Sequence, residues 1–127
     1  MMQIGKLDHV NLRTTRLDEL IAWYADVLGM NPGPRPDFPF PGAWLYAGDA
    51  AAVHLVGIEG PEATGSDKEL KLEHFAFTAS GAQDFEARLK ERGEKYRRAV
   101  QTGTGTVAFN IWDPDGNHIH VDFPPEE

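Results

Sequence analysis

The sequence predicts an α+β fold made of two βαβββ modules, and three observations predict it. The first is an internal repeat: Leu7-Asp8-His9-Val10 resembles Leu72-Glu73-His74-Phe75. The second is order. Each copy continues as a strand-like run, then an amphipathic helix closed by glycine, then short strands ending in one with a central histidine. The third is spacing. His9 and His54 are 45 residues apart and His74 and His120 are 46, while Gly29 follows His9 by 20 and Gly93 follows His74 by 19. The organisation expected is one domain, 1–127, with module one about 1–58, a Gly-, Glu- and Ser-rich linker 59–69, and module two about 70–123.

Strands are expected at about 4–13, a short one near 30–35, then 43–47, 51–58, 70–79, 96–101, 105–112 and 117–123. The first helix places Leu17, Leu20, Ile21, Tyr24 and Leu28 on one face, with Trp23 also counted as core. Thr14 or Thr15 is its expected N-cap, and Gly29 its left-handed C-terminal cap. The second helix carries Ala82, Phe85 and Leu89 on its face and ends at Gly93. Ser80 followed three residues later by Gln83 reads as a capping box. Between 31 and 42 stand five prolines and two phenylalanines, an ordered but irregular loop. Asp113-Pro114-Asp115-Gly116 is a turn that makes the last two strands a hairpin, because Pro suits the second position of a type I turn and Gly the fourth.

Composition excludes several function classes. Twelve Lys and Arg against twenty Asp and Glu give a net charge of −8. Nucleic acid and anionic membrane surfaces are therefore not expected partners, since both need a concentrated basic footprint. The longest apolar run, Leu20 to Ala25, is six residues, far below the roughly 20 of a membrane span. No secretory leader is read at the start. The chain has no cysteine, which removes disulfides, thiolate metal sites and cysteine nucleophiles and makes the cytoplasm the expected location. With 41% apolar residues, a hydrophobic core is feasible, and the five histidines become the residues to explain.

Side chains alternate faces along a strand. Val10 and Leu12 therefore oppose His9, Asn11 and Arg13; Phe75 and Phe77 oppose His74, Ala76 and Thr78. Val53 and Leu55 oppose His54; Ile119, Val121 and Phe123 oppose His118, His120 and Asp122. One face of each strand can lie against a helix. The other offers histidine and is often polar, which favours a polar cavity over a second packed layer. Imidazoles gathered there repel one another if protonated and lack partners if dry. A divalent metal removes both difficulties, because neutral imidazole ligates Zn, Fe, Ni and Cu.

Together, Leu7-Asp8-His9-Val10, Trp23-Tyr24-Ala25-Asp26-Val27-Leu28-Gly29-Met30, Glu73-His74-Phe75-Ala76-Phe77 and Asp113-Pro114-Asp115-Gly116-Asn117 resemble the vicinal oxygen chelate superfamily. That superfamily includes glyoxalases, methylmalonyl-CoA epimerases, extradiol dioxygenases, and fosfomycin- and bleomycin-resistance proteins. The resemblance implies a cupped, mixed and largely antiparallel sheet with helices outside, often completed as a homodimer. It also implies a metal held by the first and last strands of each module, which are His9, His54, His74 and His120 here. The chain departs from the pattern at His120, where the family usually has glutamate. This weakens transfer of a dioxygenase mechanism and leans toward the glyoxalase and epimerase side.

The function expected is that of a metal-dependent lyase or isomerase, its ion Zn, Ni, Fe, Mn or Co, acting on a small oxygen-rich metabolite. A ring-cleaving dioxygenase with Fe(II) or Mn(II) is the alternative. A metal-free drug- or metabolite-binding resistance protein, and a metal sensor or buffer without catalysis, are the readings of other classes. His120 or His54 would move the proton. Asn11, Arg13, Asn110 and Trp112 are candidate substrate contacts, with Arg13 suited to a carboxylate or phosphate. Phe40 and Trp44, beside Phe38 and Tyr46, would form an aromatic lid. His118 is expected at the rim or behind the ligands, and Glu62 to Glu73 as a solvated linker.

Overall fold

A computed structural model describes residues 1–60 and 72–125. The chain divides into two compact units, Met1–Thr64 and Gly65–Glu127. In the first, β1 (Val10–Thr14) leads into α1 (Leu17–Leu28), β2 (Asn31–Pro32), β3 (Gly42–Ala47) and β4 (Ala50–Gly57). In the second, β5 (Phe75–Thr78) leads into α2 (Ala82–Arg92), β6 (Tyr96–Val100), β7 (Val107–Trp112) and β8 (His118–Phe123). The sheets have equivalent orders, β1-β4-β3-β2 and β5-β8-β7-β6. The first and last strands of each unit pair in parallel, and the remaining neighbours are antiparallel. This is the βαβββ arrangement twice. The expected linker, apart from Glu59 and Gly60, lies outside the described residues, and no helix among those described is long and apolar enough to cross a membrane.

The alternation of faces builds each core. Leu20, Trp23, Tyr24 and Val27 of α1 are buried with Ala43, Leu45, Val53 and Leu55 of the first sheet. Ala82, Phe85 and Leu89 of α2 are buried with Val107, Phe109, Ile111, Ile119, Val121 and Phe123. Phe85 meets Phe109 edge-on at 5.5 Å and Phe123 at 5.6 Å, which seats α2 on β7 and β8. Each fully buried aliphatic or aromatic side chain contributes about 1.5–3 kcal/mol relative to exposure.

Four boundary expectations are corrected. The strand expected from residue 4 begins at Val10, because β1 pairs with β4 from Val10 opposite Val53. At that register, residues 4–6 would fall opposite the turn between β3 and β4; Ile4 and Leu7 are instead exposed. For the same reason β5 begins at Phe75, since Phe75 lies opposite Ile119 and earlier residues run toward the 113–117 turn. The buried stripe of α1 is Leu20, Trp23, Tyr24 and Val27, while Leu17, Ile21 and Leu28 are only half-buried. Neither helix has the expected N-cap. Arg16 caps α1 while its N–H donates to Thr14 Oγ1 at 2.9 Å, a local turn before the helix. Gly81, at φ 87°, caps α2, so Ser80 lies one residue too early for the capping box. Both C-terminal glycines are left-handed as expected. At Gly29 the Gly29 N–H donates to Ala25 O and the Met30 N–H to Tyr24 O.

The β7–β8 hairpin is pinned by Asp113, which is 4% exposed. Its Oδ1 accepts the N–H groups of Asp115 and Asn117 at 3.0 and 2.9 Å, and its Oδ2 accepts Asn117 Nδ2 at 2.8 Å. The Gly116 N–H closes the turn onto Asp113 O at 2.8 Å. Asp113→Ala strands these buried donors and is expected to cost about 1–3 kcal/mol in urea denaturation. A change near zero would show that the hairpin register does not rest on this carboxylate.

Candidate metal centre

In the first unit the backbone brings three rings into one column. Parallel pairing sets Asn11 opposite His54, and antiparallel pairing sets Trp44 opposite His54. His9, two residues before Asn11, shares that face. The His9 and His54 rings stack with centroids 3.8 Å apart and planes 9° from parallel. Trp44 stacks on the other side of His54 at 4.1 Å and 11°. His54 is buried at 8% exposure.

The second unit repeats the device. Ala76 lies opposite His120, and Asn110 opposite His120 from the other side. His74 stacks on His120 at 3.8 Å and 8°. His118 adds a third imidazole, with one nitrogen each from His74, His118 and His120 lying within 4.8 Å of one another. By register, the residue of the first unit that corresponds to His118 is Ala52. Trp112 lies opposite His118 and stacks on it at 5.0 Å, and Lys95 Nζ sits 4.9 Å from the indole.

Hydrogen bonds settle which ring nitrogens are bare. A carboxylate or carbonyl oxygen only accepts, so the nitrogen facing it carries the proton. Asp8 Oδ2 takes His9 Nδ1–H at 2.7 Å, and Glu73 Oε1 takes His74 Nδ1–H at 2.5 Å. When neutral, both rings therefore present Nε2. Ala51 O takes His54 Nε2–H at 3.0 Å, which leaves His54 Nδ1 bare. Both nitrogens of His118 are engaged, Nδ1 with Glu73 Oε2 at 2.7 Å and Nε2 with Asn110 Oδ1 at 2.9 Å. Asn110 Nδ2 donates to Arg97 O, which turns its oxygen toward His118.

The charges follow from these contacts. Hydrogen bonds from His74 and then His118 hold the Glu73 carboxyl at about 2, so it is ionised at neutral pH. The hydrogen bond from His9 lowers Asp8 as well. Burial, followed by the neighbouring His9, lowers His54. Burial, followed by His74 and His118, lowers His120. His54 and His120 are thus favoured as neutral rings. Asp122, on the His120 face of β8, has a buried Oδ1 with no hydrogen-bond partner among the described residues.

The predicted residues fall into distinct places. His9 and His54 come together in the first unit, and His74 and His120 in the second. Asn11 and Arg13 are exposed on the histidine face of β1. Trp44 packs directly on His54. Phe38 stacks on Phe40 at 5.1 Å and reaches Trp44 at 6.4 Å, and the Arg35 guanidinium lies 5.1 and 5.3 Å from the two phenylalanine rings. Tyr46 donates to Pro34 O and so ties the proline loop to β3. Asn110 and Trp112 contact His118 rather than standing free. Glu73, expected in a solvated linker, instead bonds two imidazoles. Its signal was in the repeat, where an acid precedes each first-strand histidine as Asp8-His9 and Glu73-His74. A hollow lined by Thr14, Arg16, Asp18, Pro41 and Ile58 contains none of these groups.

The comparisons agree with this architecture. The family described as the Glyoxalase/Bleomycin resistance protein/Dioxygenase superfamily matches residues 6–121. "Glyoxylase I 4" of Arabidopsis thaliana is 30% identical over 125 residues, covering 94% of this chain and 71% of that protein. A "Probable lactoylglutathione lyase" of Synechocystis sp. is 29% identical over 120 residues, covering 89% and 91%. Among solved structures, a glyoxylase/bleomycin resistance protein/dioxygenase domain from Frankia sp. superposes with a TM-score of 0.80 at 18% identity, covering 98% and 95%. A putative glyoxalase family protein from Bacillus anthracis superposes at 0.78 and 22%, covering 98% of each chain. The two structures speak for the fold, the family match spans nearly all of the sequence, and the chain belongs to the glyoxalase/bleomycin resistance protein/dioxygenase superfamily.

Proposed function

We propose that this chain is a metal-dependent lyase or isomerase acting on a small molecule with two adjacent oxygen atoms. The observation that carries the reading is the gathering of imidazoles: in the second module one nitrogen each of His74, His118 and His120 lies within 4.8 Å of the others, and the first-strand histidine of each module has a carboxylate on its Nδ1. Two curated relatives are named for glyoxalase and lactoylglutathione lyase activity, which supports lyase over dioxygenase.

The donor set fits a borderline divalent ion such as Zn, Ni, Co, Fe or Mn. The candidate ligands are His9 and His54 in the first module and, as a separate pair, His74 and His120 in the second. His118 has both nitrogens committed to oxygen atoms and is not counted. A divalent cation bound there would supply Lewis-acid stabilisation of the negative charge that develops on the substrate's oxygens. The protein's own groups do the rest. His120, favoured neutral by burial, would leave the ion to accept the proton from one carbon and return it to the neighbouring carbon, and His54 would do the same in the first module. Arg13 and Asn11, exposed on the same face as His9, take the polar end of the substrate, with the Arg13 fork matched to a carboxylate. Phe40, with Phe38 and Arg35, covers its apolar part, while Trp44 holds the ring of His54 in place.

Protein purified without added metal is expected to carry one of these ions or to take up Co(II). A cation at 100 times its dissociation constant should add about 2.7 kcal/mol of stability. His120→Ala or His74→Ala should weaken Co(II) binding by about 100-fold or more, beyond the usual cost of losing an outer-shell partner. The loaded protein should isomerise hemiadducts of 2-oxoaldehydes with thiols. No bound metal, and no thermal response to Ni, Co, Mn, Fe or Zn, would sink the reading in favour of a metabolite-binding protein. Ring cleavage of catechols without isomerase activity would move it to the dioxygenases.

The metal-free protein should also respond to pH in a stated direction. His54 and His120 have lowered values in the folded state, so the unfolded chain binds protons first as pH falls below about 6.5. Stability is full above that value and declines as pH drops through it toward the folded-state values. Urea midpoints at several pH values should show the decline, and a His54→Gln/His120→Gln variant should show less of it. An equal slope in both proteins would mean that these rings are not held neutral.

A further inference from the structure

Glu73 is 70% exposed, yet it is bonded on both oxygens. Oε1 accepts His74 Nδ1–H at 2.5 Å, and Oε2 accepts His118 Nδ1–H at 2.7 Å, across 45 residues of sequence. The far side of His118 is fixed in turn: Nε2 faces Asn110 Oδ1 at 2.9 Å, and Asn110 Nδ2 is anchored on Arg97 O. Trp112 stacks on the same imidazole at 5.0 Å and 10°. A continuous chain of side chains therefore runs from the β6 backbone through Asn110, His118 and Glu73 to His74. In the first module Asp8 makes the corresponding bond to His9 at 2.7 Å, but it has no second imidazole, because Ala52 stands at the register position of His118.

We propose that Glu73 is a positioning residue of the second module: anchored by His118, it fixes the proton of His74 on Nδ1 and so aims a bare Nε2 at a cation. The proposal rests on the metal-binding reading above. His118 thereby has a role that is neither ligand nor bystander, since it holds the carboxylate that orients the ligand. A carboxylate on the remote nitrogen of a metal-bound imidazole sets its tautomer and raises its basicity, and losing such a partner costs about 10–100-fold in metal affinity.

The experiment uses the full chain with Glu73→Gln and Glu73→Ala. At a pH near 8, ¹⁵N NMR of the metal-free wild type should report His74 protonated on Nδ1 and bare on Nε2. Glu73→Gln should mix the two tautomers and Glu73→Ala should mix them further. Co(II) titration, read by its visible absorption, should show affinity falling in the order Glu, Gln, Ala by about 10–100-fold in all. Far-UV circular dichroism should stay at the wild-type value and urea midpoints should fall only slightly, because the side chain is largely exposed and its two bonds are screened by solvent. An unchanged His74 tautomer together with unchanged Co(II) affinity in both variants overturns the proposal. If the wild type takes up no Co(II), the metal reading itself has failed, and the tautomer measurement alone then decides whether Glu73 sets the proton of His74.

Discussion

Parallel pairing of the first strand with the last, at Val10 opposite Val53 in one unit and Phe75 opposite Ile119 in the other, is the constraint from which the histidine geometry follows. A strand that leaves through a helix and two antiparallel strands must return beside its starting point to satisfy its edge. With side chains alternating every residue, that return puts the even positions of β4 and β8 on the faces of His9 and His74. The two stacked pairs, equal in spacing at 3.8 Å, are consequences of that register. The helices cover the opposite faces, where Val53, Leu55, Ile119 and Val121 are buried. The apolar half of the alternation holds the fold, and the polar half is left for chemistry.

The two modules then diverge on a shared plan. Opposite the last-strand histidine stands Trp44 in the first and Asn110 in the second. Trp44 makes the surroundings of His54 aromatic and dry, which suits a ring held neutral. Asn110 replaces that surface with an amide that carries a hydrogen-bond chain outward through His118. Where Ala52 leaves Asp8 to act alone, His118 gives Glu73 a second anchor. The first module is thus finished by packing, and the second by a polar network that runs from Arg97 O through Asn110 and His118 to Glu73.

Legibility in the sequence followed the range of the interaction. The order of elements along the chain, the glycine C-caps at Gly29 and Gly93, the Asp113–Gly116 turn and the facing of each histidine depend on neighbours within a few residues, and period and turn chemistry expose them. The N-caps failed for a local reason. Thr14 and Ser80 are good capping types, but each lies before the residue where helical hydrogen bonding begins, a shift that pattern alone does not resolve. The strand start at 4 failed, and β5 starts only at Phe75 with residues 70 and 71 outside the described ones, because a strand ends where its partner turns and that partner is more than 40 residues away. Glu73 was half legible: the Asp8-His9 and Glu73-His74 parallel stood in the repeat, while the bond to His118 crosses 45 residues and needs coordinates.

The substitution of imidazole for the family's usual carboxylate at His120 raises a question of charge. In the proposed site, histidine ligands would leave a divalent ion with its full +2, which would strengthen it as a Lewis acid but leave a concentrated charge to be balanced. The acids here stand one hydrogen bond further out, with Asp8 and Glu73 on the Nδ1 atoms of His9 and His74, and Asp122, on the His120 face of β8, has a buried oxygen with no hydrogen-bond partner among the described residues. Charge placed behind an imidazole makes that nitrogen a better donor without taking a coordination position. A ligand set of histidines backed by carboxylates would keep positions open for a chelating substrate while holding negative charge close by. In the proposed site, charge that a ligating carboxylate would carry thus stands on the residues behind the ligands, and the acids that precede each first-strand histidine would belong to the site with the histidines.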